Sequence, residues 1–368
     1  MPATRILCVG FCGVDYIGTV SSFPNPDDKV RTESLIITGG GNAGNTACCI
    51  GKLASVFEKD YMSSHHEDYL ECAILTKVGD DSNGKMVREG LEDFFVNTER
   101  ICVSSTSPTG FVYVIVDKQT STRTCIATPS EELTVGEVDA AVDQGLLDGV
   151  TIVHFDSRHT AASLHLARTI AARNVASPSS SPNSRGNVIM TIDVEKDRPF
   201  LRELLPFVDI IFTNERFAQL FFADRPAVDG YTSVVEELYP LLEEPRSSDL
   251  MSRLRLLTQL LFPATRATCV VSTLGSGGSI CVRTTSAAEA ATSSSSGEST
   301  SIGSNVFSFT TQLDVRRYTY KVSGGGGTVG LYDILLCPAA ALAPENVVDT
   351  TGAGDVYIGG FIYGKVRP

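Results

Sequence analysis

Short apolar runs that close in glycine or a polar residue recur along this chain, with helically spaced stretches between them. Arg5-Ile6-Leu7-Cys8-Val9-Gly10 is the first. Cys72 to Leu75, Thr151 to Phe155, Val188 to Asp193, Val208 to Glu215 and Thr268 to Thr273 follow. Such runs read as buried strands. Between them, Thr160 to Arg173 places Leu164, Leu166 and Ile170 on one helical face, and Cys48, Ile50 and Leu53 begin another helix. The alternation predicts an α/β fold. Phe111 to Val116 and Thr122 to Ile126, joined through Asp117-Lys118-Gln119-Thr120-Ser121, predict a hairpin. Residues 55–69 read as a polar surface insertion, and 225–265 as a long connection.

Three stretches carry chemistry. In Asp349-Thr350-Thr351-Gly352-Ala353-Gly354-Asp355 an apolar lead-in, Val347-Val348, suggests a strand end. Val356-Tyr357-Ile358 and Phe361-Ile362 suggest a helix starting at the glycine turn. Free N–H groups of a first helical turn, with the helix dipole, form an anion site. Asp355 beside such a site would repel a phosphate unless it takes a proton from an attacking hydroxyl. The plainer reading is a helix-start residue after a turn. Thr38-Gly39-Gly40-Gly41-Asn42-Ala43-Gly44-Asn45-Thr46-Ala47 places two asparagines three apart, where glycines admit a ligand close to the backbone. It is not a P-loop, since six residues separate Gly44 from Gly51-Lys52 and Leu53 replaces the Ser/Thr. Asp15, after the first strand, can accept bonds from vicinal hydroxyls or simply be solvated.

These residues resemble the PfkB family of carbohydrate kinases. Its C-terminal signature runs here from Asp349 through Gly352-Ala353-Gly354-Asp355 to Gly359-Gly360-Phe361-Ile362. Its Gly-Gly-x-x-x-Asn-x-Ala signature reads Gly40 to Ala47, and Val78-Gly79-Asp80-Asp81 resembles a helix-capping segment of the family. The resemblance implies one domain over 1–368, a three-layer α/β/α sandwich around a mainly parallel sheet. Strands from about 16–38 and 109–127 would form a small β-sheet lid. It further implies Asp355 as base, Gly352, Ala353 and Gly354 as anion hole, and Asp15, Gly41, Asn42, Asn45 and Arg123 as substrate contacts. ATP contacts would be Asn214, Thr273, Gly275, Gly278, Gly352 and Gly354, with Mg²⁺ and a monovalent cation (K⁺) near Asp349. Phe217 stands where many members carry the glutamate of Asn-x-x-Glu. The chain ends 368 − 355 = 13 residues after Asp355, so the family's further C-terminal helices are expected to be missing. The implied activity is phosphorylation of a fructose- or ribose-like sugar. A nucleoside kinase and a non-catalytic scaffold are the alternatives, and a homodimer through the lid is implied as well.

Composition narrows the partners. A net charge of −13 argues against a nucleic-acid surface. No apolar run reaches membrane-spanning length, and no signal-peptide pattern opens the chain. Ten cysteines without metal-type spacing point to reduced thiols in the cytoplasm. His65-His66-Glu67-Asp68 are consecutive and so poorly placed to share one ion. His154 and His165 read as core-edge residues. Thr284 to Asn305, rich in serine, threonine and alanine, is expected to be a disordered loop, and Ser323 to Thr328 a flexible patch.

Overall fold

The structure, a computed structural model, describes residues 4–62, 69–120, 122–176, 187–223, 257, 267–285, 316–323, 329–340 and 350–367. The chain divides into two compact units, residues 1–189 with 351–368, and residues 190–350.

In the first unit β1 (Thr4–Val9) lies between β10 (Val150–Phe155) and β4 (Leu70–Leu75), and β4 also pairs with β6 (Val96–Asn97). All three pairings are parallel, with Ile6 opposite both Ile152 and Cys72. Ile6, Leu7, Cys8 and Val9 are fully buried. Burial at successive positions means both faces of the strand are covered, the habit of parallel sheets. The helices of this unit are α1 (Asn42–Met62), α2 (Ser82–Asp93), α3 (Val135–Asp143), α4 (Thr160–Ala176) and, at the C-terminal end, α7 (Ala353–Val366). Asp81 caps α2 by accepting from the Gly84 N–H at 2.8 Å, and Thr134 with Glu137 forms a capping box on α3.

A separate four-stranded sheet has the order β3 (Ser34–Gly40), β2 (Gly13–Val20), β8 (Phe111–Asp117), β9 (Thr122–Thr128). The outer pairs are antiparallel and the central β2–β8 pair is parallel. This is the small sheet expected from the two alternating stretches. A short parallel pair, β5 (Lys77–Gly79) with β7 (Cys102–Ser104), completes the unit.

In the second unit β11 (Ile189–Val194), β12 (Ile210–Asn214) and β13 (Cys269–Thr273) run parallel. The short helices α5 (Leu201–Leu204) and α6 (Phe217–Phe221) flank β12 in sequence. Beyond β13 the pairing turns antiparallel through β14 (Ser279–Thr285) and β16 (Val329–Cys337) to β15 (Arg316–Ser323).

Several expectations change. The supposed insertion is helical through Met62: no glycine or proline interrupts Lys52–Met62, Ala54 is buried, and the Phe57 ring lies 6.2 Å from that of Tyr363. His65, His66, Glu67 and Asp68 lie outside the described residues, as do Val347, Val348 and Asp349. Thr284 and Thr285 belong to β14, because ladder bonds to β16 hold them extended. Residues 286–305 and 324–328 lie outside the described residues, whereas Ser323 ends β15. His154 is wholly buried rather than at the core edge, because β10 is covered on both faces. His165 is half-exposed and 2.6 Å from Asp139. Among the described residues all ten cysteines are free, and no helix is long and apolar enough to cross a membrane.

Candidate functional site

Helix α7 begins after Gly352, whose φ of 73° is a left-handed conformation that a side chain would strain. That turn lets the Val356 N–H reach the Gly352 carbonyl at 2.9 Å and start the helix. No side chain caps it. The first-turn amides are therefore not spent on a local side-chain acceptor, and Asp355 stands among them, half-buried.

Helix α1 meets this turn directly. The Asn45 Nδ2 donates to the Asp355 Oδ2 at 2.8 Å, and the Thr46 hydroxyl to the Asp355 carbonyl at 3.3 Å. The approach depends on Gly359, where an added β-carbon would lie 2.7 Å from the Cys49 Cβ and 3.0 Å from the Thr46 carbonyl oxygen. The glycine-rich tail of the C-terminal signature is thus a packing surface for the helix that carries the asparagine.

The start of α1 is held equally closely. Gly41 has φ of 95° and accepts from the Asn45 N–H at 2.9 Å, with Asn42 as the first helical residue. Asp15, on β2, is in register with Thr38 on β3, near the end of the strand that leads into Gly41. Arg123, on β9, donates to the Thr351 hydroxyl at 3.2 Å. Asp15, Gly41, Asn42, Asn45, Arg123 and residues 352–355 therefore all belong to the first unit, and Asn45 is bonded to Asp355 itself.

Asp156, unforeseen from the sequence, organises this corner. Its carboxylate accepts from the N–H groups of Phe11 at 2.7 Å, Ala43 at 3.3 Å and Arg158 at 2.9 Å. It joins the segment after β1 to the first turn of α1. Burial pushes its pKa up to about 6, while the backbone donors and Arg158 pull the other way. The available signal was an aspartate directly following a buried strand, Val150–Phe155. That pattern is common enough to pass as a loop residue.

The remaining nucleotide-binding candidates lie in the second unit. Asn214 and Thr273 are register partners at the ends of β12 and β13. The Asn214 Oδ1 accepts from the N–H groups of Arg216 at 3.0 Å and Phe217 at 2.9 Å, so it shapes the turn into α6. Phe217 is fully buried, a packing role consistent with its departure from the glutamate pattern. Gly275 and Gly278 occupy positive-φ positions in the turn after Thr273.

A cavity of ≈ 430 Å³ opens in the first unit between α1 and α2. Asn45, Thr351 and Gly352 lie on it, with Leu53, Leu91 and Phe94 among its apolar walls. Asp15, Asn42 and Asp355 do not line it. No group of three metal-ligating side chains occurs among the described residues.

Comparison with known proteins identifies the family and the fold. Residues 3–294 and 335–368 match the family model described as pfkB family carbohydrate kinase. Over 212 residues the chain is 25% identical to a ribokinase of Dictyostelium discoideum, covering 57% of this chain and 58% of that relative's length. A solved Arabidopsis thaliana ribokinase, complexed with ribose and ATP, superposes with a TM-score of 0.57 at 17% identity, over 99% of this chain and 86% of that one. The nucleoside kinase of Methanocaldococcus jannaschii is 37% identical over 73 residues, 18% of this chain and 24% of that relative. Its structure gives a TM-score of 0.52 at 19% identity, covering 99% of this chain and 85% of that one. At these identities the solved structures establish the fold, a three-layer α/β/α arrangement with a small sheet as lid.

Proposed function

This chain belongs to the pfkB family of carbohydrate kinases, and from that premise we propose that it transfers the γ-phosphoryl group of ATP to a hydroxyl of a small sugar. The observation that carries the reading is the Asn45–Asp355 hydrogen bond, which couples the two signature stretches. In this reading Asp355 takes the proton of the attacking hydroxyl. A new O–P bond forms as the bond between the γ-phosphorus and its bridging oxygen breaks, and ADP leaves. The Asn45 amide orients the carboxylate, and the amides of Gly352, Ala353 and Gly354 receive the developing charge on the phosphoryl oxygens. Asp15, Gly41, Asn42 and Asn45 hold the acceptor hydroxyls, and Arg123 adds positive charge beside Thr351.

The residues fit a nucleotide phosphate: the first turn of α7 has no side-chain cap, and a β-carbon at Gly354 would meet nothing within 4 Å. Asn214, Thr273, Gly275 and Gly278 are the proposed remainder of the ATP site. Mg²⁺ would neutralise phosphate charge when bound with the nucleotide; a monovalent cation near Asp349 rests on the family resemblance alone. A ribose- or fructose-like acceptor is the leading substrate. A nucleoside is the second, favoured by the similarity to the M. jannaschii nucleoside kinase. We include in this reading a single family domain, a cytosolic setting suited to ten free thiols, and a homodimer through the lid, whose β3 exposes Leu35, Ile36 and Ile37.

The test is product identification. Incubation with MgATP and single sugars or nucleosides, followed by ³¹P NMR, should give a phosphomonoester resonance for one acceptor. Splitting of that resonance by the acceptor's protons would identify the hydroxyl. Failure of every acceptor with a folded protein would favour a non-catalytic scaffold.

A further inference from the structure

We infer that the cavity between α1 and α2 is a binding site for a planar, largely apolar small molecule that carries one anionic group. Its ≈ 430 Å³ falls within the range of small-molecule pockets, roughly 300–1,000 Å³. Leu53, Val87, Leu91 and Phe94 form its apolar side, and Cys12 and Cys48 present thiols that behave as small hydrophobes. Water there would find few polar partners, and so would a bare sugar. Lys52 is the one charged residue among the described lining residues. Its ammonium also lies 5.9 Å from the centre of the Phe95 ring. A carboxylate or sulfonate is the group it would take.

Gly90 supplies an independent observation. Glycine within a helix costs about 0.5–1 kcal/mol relative to alanine. At Gly90, in α2, neither a positive φ nor a neighbour demands it: a β-carbon there would meet nothing within 4 Å. Gly39, also on the cavity wall, is equally unopposed. Both residues line the cavity, so no side chain fills its wall at either position. Bare backbone at these positions gives smooth walls, which suit a ring system better than a branched chain.

The cavity adjoins the proposed acceptor and phosphate site and shares Asn45 and Gly352 with it, whereas Asp15, Asn42 and Asp355 are off its wall. It stands whether or not the kinase reading holds. Asn45 is the link to that reading, because it lines the cavity and also bonds Asp355. A ligand touching Asn45 would be felt at the carboxylate.

The probe is 8-anilino-1-naphthalenesulfonate, an aromatic sulfonate, titrated into the full chain by fluorescence without nucleotide. One saturable site is expected. Gly90→Leu, which fills the space, should abolish the saturable component while leaving the melting temperature equal or higher. Lys52→Met should weaken binding about tenfold, equivalent to roughly 1.4 kcal/mol. Unchanged saturable binding in folded Gly90→Leu, or only unsaturable binding in the wild type, overturns the inference. Should Gly90→Leu fail to fold, the surface change Lys52→Met decides: an affinity equal to wild type overturns the site. Turnover enters none of these readings, so failure here is separable from failure of the kinase reading.

Discussion

Asn45 and Asp355, 310 positions apart in sequence, share a 2.8 Å hydrogen bond across the junction of α1 and α7. The amide donor holds the carboxylate in one orientation. Replacing Asn45 by alanine removes an interaction with a charged partner, worth about 1.5–3 kcal/mol when well buried and less at this half-buried site. The expected outcome is a fall in kcat beyond any change in KM for ATP, with the fold retained by circular dichroism. A kcat equal to wild type would show that the bond has no part in turnover.

Gly359 and Gly360 give a paired test of the α1–α7 junction. Gly359→Ala forces a methyl to within 2.7 Å of the Cys49 Cβ and should cost about 1–3 kcal/mol. At Gly360 nothing lies within 4 Å of the new carbon, so Gly360→Ala should be neutral or stabilising by up to about 1 kcal/mol. Urea unfolding midpoints compare the two; equal effects would contradict the packing described here.

Asp156 should resist even an isosteric change. Both of its carboxylate oxygens accept backbone N–H groups, so the Asp156→Asn amide would turn an N–H₂ toward a donor. Destabilisation of about 1–3 kcal/mol is expected, together with weakened acceptor binding as Phe11 and Ala43 lose their shared anchor. Thermal melting and KM for the acceptor report the two effects.

Stability should fall on acidification below neutral pH. Burial lowers the pKa of His154 to about 3 and of His159 to about 4, from 6.5. Below about pH 6.5 the unfolded chain therefore takes up two protons that the folded chain refuses, which removes stability. Asp156, raised from 3.8 to about 6, acts oppositely: the folded state holds that proton, so its contribution is lost as pH rises through 6. Between pH 6 and 4 the net is one extra proton on the unfolded state, or about 1.4 kcal/mol lost per pH unit. Urea midpoints at pH 7, 6, 5 and 4 measure this, and His159→Phe should flatten the slope. A midpoint that stays level or rises on acidification would contradict it.

Much of this was legible from local pattern. The buried strands declared themselves by uninterrupted apolar runs such as Ile6 to Val9, and the lid by two alternating stretches with a turn at Asp117. The glycine turn before Asp355 marked its own helix start. What escaped depended on distant partners. Asp156 is organised by N–H groups from residues 11 and 43, which no local pattern around position 156 announces. The antiparallel additions β15 and β16 were hidden because Ser/Thr-rich and poly-glycine neighbours dilute their alternation. The end of α1 was misplaced because charged residues near Lys59 and Asp60 masked a helix that no breaker interrupts.

The most direct measurement is ADP release from MgATP, with the phosphate acceptor identified by NMR, in wild type beside Asp355→Asn. Removing a general base costs roughly 10²–10⁴-fold. Acceptor-dependent release that falls by that order in a folded Asp355→Asn protein is the expected result, whereas release equal in the two proteins would contradict the assignment of Asp355 as the base.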